Sequence, residues 1–75
     1  MEEKSQYTLR DLFNNLPISL AELARRSSVN EVTIARIRDG ESVALRSTAN
    51  KLLRVFSDVY GRILTLDNVD FPVRG

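Results

Sequence analysis

Residues Ser19 to Gly40 read SLAELARRSSVNEVTIARIRDG, and the rest of the 75-residue chain is best understood outward from them. Ser19 followed by Glu22 is an S-x-x-E capping box, which predicts a helix starting just after Ser19. Leu20, Leu23, Ala24 and Ser27 then recur at i, i+3, i+4 and i+7, one face of that helix. Ser27-Ser28-Val29-Asn30 interrupts the pattern. Asn30 suits the N-cap of a second helix, because its side-chain oxygen can accept from an orphan backbone N–H. Ile34 and Ile37 lie three apart and point inward together. Gly40 stands where a left-handed C-terminal cap is wanted.

Two helices of about two turns each, joined by three or four residues, have the dimensions of a helix-turn-helix. The segment also resembles the helix-turn-helix of Cro and phage-repressor-like DNA-binding domains, the xenobiotic-response-element (XRE) type. The pattern L-A-E-L-A-x-x-x-x-V-x-x-x-T-I-x-x-I-x-x-G is matched by Leu20, Ala21, Glu22, Leu23, Ala24, Val29, Thr33, Ile34, Ile37 and Gly40. The small Ala24 fits the family's close approach of the two helices. Two positions depart. Ser28 stands where the family usually has Gly in a positive-φ turn, at a cost of ~1 kcal/mol. Leu20 stands where the family often has a phosphate-contacting Gln, and makes no such contact. The resemblance extends loosely from Leu9 to Val69. It implies an all-α fold, a compact four- to five-helix bundle of the lambda-repressor-like DNA-binding type. The expected organisation is a flexible arm over 1–7, a domain over 8–70 with the motif at 19–40, and a tail over 71–75.

At about 100° per residue, with Ile34 and Ile37 inward, Val32, Arg36 and Asp39 point outward and Glu31 and Thr33 flank them. In the family, the first turn of this helix and one residue a turn later meet base edges in the major groove. By position these are Glu31, Val32, Thr33 and Arg36. Arg36 can donate two bonds to guanine, Glu31 can accept from cytosine N4, Val32 can pack on a thymine methyl, and Thr33 can serve base or phosphate. Ser19 with the adjoining helix start, Asn30 and Arg46 are the expected phosphate contacts. Asp39 and Glu41 repel phosphate unless they pair with Arg36 and Arg38.

Composition narrows the alternatives. One small domain is expected, with a limited core. The chain contains neither Cys nor His. Disulfides and thiolate metal sites are therefore excluded, and the commonest general base is absent. With no glycine-rich phosphate loop and no carboxylate pair in an evident pocket, neither enzymatic activity nor a cofactor or metal is expected. No apolar run approaches the ~20 residues of a membrane span, and MEEKSQYTLR is too polar for a signal peptide, so the cytoplasm is the expected location. Net charge is only +1, but residues 25–54 carry a local +4. That concentration suits phosphate contact, although arginines also simply solvate helix surfaces.

Elsewhere, Thr8 is expected to cap a first helix with Leu9, Leu12, Phe13 and Leu16 on its apolar face, ended by Pro17. Ile18 is placed to act as a hydrophobic staple. After Gly40 a short loop should tuck Leu45 into the core. Ser47 is read as the N-cap of a helix from Thr48 to about Tyr60, stopped by Gly61. Ile63 and Leu64 form a connector, Thr65–Val69 a capped turn or short fifth helix, and 71–75 an extended tail. The expected core is Leu9, Leu12, Phe13, Leu16, Leu23, Ala24, Val29, Ile34, Ile37, Leu45, Leu52, Leu53, Phe56 and Val59.

These features lead to the expectation of a sequence-specific regulator that binds double-stranded DNA, a repressor by analogy with the family. A homodimer would place its recognition helices about 34 Å apart. Tyr60 to Val73, with Val43, Val55 and Phe71 as exposed apolar residues, are the candidate dimer surface. The competing expectation is a protein-interaction module of the same fold, such as an antitoxin binding a toxin through residues 61–75.

Overall fold

The computed structural model of the chain describes residues 7–74. Of the arm expected over 1–7, residues 1–6 lie outside the described residues, and Tyr7 belongs to a short strand.

Helices form where local caps and apolar spacing coincide. Thr8 is extended, and its hydroxyl accepts from the Asp11 N–H at 3.1 Å, opening α1 (Leu9–Asn14). Helix α1 stops ahead of Pro17, which disfavours helical backbone in the residue before it. Ser19 opens α2 (Leu20–Ser27) by accepting from the Glu22 N–H at 3.1 Å. Asn30 opens α3 (Glu31–Arg38) by accepting from the Val32 N–H at 2.8 Å. Between them Ser28 adopts φ +64°, left-handed backbone that favours Gly. Buried Ser27 tightens this turn by accepting from the Val29 N–H at 3.3 Å. Gly40, at φ +78°, ends α3. The Glu41 N–H reaches the Arg36 carbonyl at 2.8 Å and the Gly40 N–H reaches Ile37 at 3.2 Å, the paired bonds of a Schellman cap.

The longest helix is α4 (Arg46–Tyr60), and it begins earlier than expected. Its N-cap is Leu45, with no side-chain cap bond. Ser47 is therefore inside the helix and caps nothing. The reason is a strand: β2 (Ala44–Leu45) is extended by pairing and runs straight into the helix. Period-two alternation along that strand turns Ala44 inward, at 4% exposure, and Leu45 outward, at 50%. The expectation that Leu45 fills the core is thus corrected by one residue.

Among the described residues there are four helices and no fifth. Residues 65–69 make a single turn, in which the Asn68 side chain accepts from the Thr65 N–H at 2.9 Å. The chain then extends as β3 (Val69–Asp70) and β4 (Val73–Arg74). β3 pairs in parallel with β1 (Tyr7–Thr8), and β4 pairs in parallel with β2. One extended stretch thereby joins the chain just before α1 to the chain just before α4. The fold is thus not purely helical. The segment expected as an extended tail, with Phe71 exposed, instead contributes Phe71, only 6% exposed, to the core.

Helix α2 packs against both α3 and α4, and α1 touches α3. Leu23, Ile34, Leu52, Leu53 and Phe56 are the largest fully buried side chains. Phe13 meets Phe56 edge to face, with centroids 5.5 Å apart. The expected residues Phe13, Leu16, Ala24 and Val59 pack at the margin, half-buried. Val55 is buried rather than exposed, because the C-terminal end of α2 lies beside it. Leu64 is also buried, held by Ser57, whose hydroxyl accepts from the Leu64 N–H at 2.9 Å. No helix among the described residues is long and apolar enough to cross a membrane.

Candidate nucleic-acid interface

Helix α3 divides into two faces. Ile34 and Ile37 are buried, and Glu31, Val32, Thr33 and Arg36 are exposed. Val32, at 59% exposure, is a large apolar side chain held in water by a helix whose inner face is already filled. The four expected base-reading residues therefore share one short helix: three in its first turn and Arg36 one turn later. No hydrogen bond or ion pair among the described residues engages the Arg36 guanidinium.

The expected phosphate contacts stand at the starts of helices. Ser19 and Asn30 each use an oxygen as acceptor for capping. Each keeps a donor, the Ser19 hydroxyl hydrogen and the Asn30 amide NH2, and phosphate requires donors. Arg46 is exposed at the first position of α4.

Other arginines are tied to carboxylates. Glu22 accepts from Arg25 at 2.5 Å and from Arg26 at 2.8 Å. Those bonds, Arg25 first and then Arg26, hold the Glu22 carboxyl down at about 2. Arg26 also approaches Asp58 on α4, at 3.9 Å. Arg38 pairs with Asp39 at 2.9 Å, which lowers the Asp39 pKa, so one of the two acids near the outer face of α3 is neutralised locally.

A basic groove was not anticipated from the sequence. It lies between the C-terminal end of α2 and α4, has a volume of about 510 Å³, and is lined by Arg26, Ser27, Ser28, Lys51, Arg54 and Val55. The local +4 of residues 25–54 and the i, i+3 spacing of Lys51 and Arg54 on α4 were its visible signals.

The surface expected for dimerisation changes. Val55 and Phe71 are buried, whereas Val43, Leu45 and Ile63 are exposed, Ile63 at 81%. No protein-family model, curated protein or solved structure matches this chain.

Proposed function

We propose that this protein is a sequence-specific regulator that binds double-stranded DNA, with α2 and α3 acting as a helix-turn-helix of the lambda-repressor-like, XRE type. The observation that carries the reading is the outer face of α3. Glu31, Val32, Thr33 and Arg36 are exposed together there, on a helix whose inner face is filled by Ile34 and Ile37. In this reading α3 enters the major groove, Arg36 takes a guanine edge, and Val32 meets a thymine methyl. Ser19, Asn30 and Arg46 fix the register on phosphates. The protein represses by occupying its operator, and it binds as a homodimer, since one module of this size makes few contacts. Val43, just ahead of β2, and Leu45, within it, are exposed apolar residues available for that association.

The alternative of a protein-interaction module reaching through residues 61–75 has less to stand on. Leu64, Val69 and Phe71 are buried in the protein's own core, and Val73–Arg74 is paired with Ala44–Leu45. Selection from a random duplex library, followed by binding to the enriched site across a salt series, tests the proposal. A two-half-site consensus with affinity falling steeply as salt rises is the expected result. If nothing enriches and binding stays weak and sequence-blind, the regulator reading is wrong.

A further inference from the structure

A second concavity lies on a different part of the molecule. Tyr7, Asp11, Leu12, Asn15, Tyr60, Arg62 and Leu64 enclose about 190 Å³, and no residue of α2 or α3 lines it. That is the liquid volume of about six waters, enough for one small organic molecule. Its walls are apolar. Leu12 and Leu64 are buried, and the Tyr60 hydroxyl donates to the Leu12 carbonyl at 2.5 Å, which leaves the ring of Tyr60 toward the space.

The rim is charged at two places. Arg62 lies over the Tyr7 ring, 5.5 Å from its centroid, and donates to the Tyr7 hydroxyl oxygen. That hydroxyl keeps its own hydrogen to donate, beside the remaining guanidinium N–H groups. Asn15 Nδ2 donates to the Asp11 backbone carbonyl at 3.0 Å, and Asn15 Oδ1 remains an acceptor. Asp11 and Arg62 line one cavity with opposite charges, yet they form no ion pair with each other or with any other described residue. A guanidinium and a carboxylate that line one apolar hollow without pairing are complementary to a molecule that carries both charges on a short frame.

We propose that this cavity binds a small zwitterion with a short aliphatic arm, an apolar α-amino acid. Its carboxylate meets Arg62 and the Tyr7 hydroxyl, its ammonium meets Asp11 and Asn15, and its side chain lies against Leu12, Leu64 and Tyr60. The inference stands apart from the DNA-binding reading, since it uses none of the same residues.

The test is an amide NMR titration of the full chain with three probes: L-leucine, isocaproate, which lacks the ammonium, and isoamylamine, which lacks the carboxylate. Leucine should give saturable shifts at Tyr7, Asp11, Asn15 and Leu64, and each truncated probe should bind about tenfold more weakly or worse. Arg62→Met keeps an aliphatic stem over Tyr7 and removes the charge; it should weaken leucine about tenfold, as should Asp11→Asn, while Arg74→Met leaves it unchanged. Should Asp11→Asn loosen the first turn of α1, Arg62→Met with the two truncated probes decides the matter alone. The absence of saturable shifts with leucine overturns the proposal. So does an equal response to all three probes that Arg62→Met does not alter.

Discussion

Helices α2 and α3 are both eight residues long, and both open on a polar side chain that caps a backbone N–H in the first turn. Each buries two residues, Leu23 and Ser27 on the first, Ile34 and Ile37 on the second. Their outer faces differ. On α2 the ionic side chains Glu22, Arg25 and Arg26 satisfy one another, and Arg26 extends toward Asp58 of α4. On α3, among the described residues, only Arg38 is ion-paired, with its neighbour Asp39, while Glu31, Val32, Thr33 and Arg36 face solvent. The same construction thus gives one helix whose surface is completed internally and one whose surface is left for something else. Both contribute buried side chains to the core, and the proposed function places recognition on α3 alone.

The inner faces should prove equivalent. Leu23→Ala and Ile34→Ala, both in fully buried sites, should each cost about 2–5 kcal/mol in denaturant unfolding. A much smaller loss at either would mean that one helix is only loosely docked. The outer faces should diverge. Arg36→Ala should weaken operator binding by about 1–3 kcal/mol and relax preference at one base pair. Arg25→Ala should leave DNA affinity and preference unchanged, and as the loss of an exposed ion pair should barely move the denaturation midpoint. Equal effects of the two on DNA would abolish the distinction between the helices. The caps should again behave alike: Ser19→Ala and Asn30→Ala should each lose about 1 kcal/mol, and Gly at either site should recover most of it.

Ser28, between the helices, should respond in the opposite sense. Ser28→Gly removes the strain of φ +64° and should raise stability by about 0.5–1 kcal/mol, read as a shift in the denaturation midpoint. The smallest effect is electrostatic. The Glu22 carboxyl, held at about 2 instead of 4.5 by Arg25 and then Arg26, lies below its unfolded value. Its contribution is therefore complete above pH 4.5 and disappears as the pH falls through about 2. Carbon NMR should place the Glu22 midpoint there, and Arg25→Ala should move it upward.

The parts of the fold legible in the sequence are those written within a helical turn. Ser19, Asn30, Thr8, Gly40 and Gly61 announce caps through their own chemistry, and the spacing of Leu23, Ile34, Leu52 and Phe56 announces the core. The outer face of α3 followed from the same spacing, because placing Ile34 and Ile37 inside leaves little choice for Val32 and Arg36. The pairing of Arg25 and Arg26 with Glu22 was available from i, i+3 and i, i+4 geometry but competed with other uses of the same arginines. The strands were not legible. Each is two residues long, too short for alternation to register, and their partners are distant in sequence. Leu45, Ser47 and Phe71 were misplaced for that reason, and Val55 because the end of α2 packs beside it. The register between Ala44 and Val73 decides which side chains turn inward, and a single sequence carries no mark of it.

The two parallel ladders set an order of events for the newborn chain. Helices α2 and α3 are contiguous in sequence, so their contacts can close soon after synthesis has passed Gly40. Tyr7 and Ala44 must wait for Val69 and Val73, and closure over such separations carries a larger loop entropy. The molecule consequently matures from its middle outward, with residues 69–74 as the closing stitch. In the finished protein each ladder is only two residues long, so its amide hydrogens should exchange through local opening that leaves the interior of α4 protected.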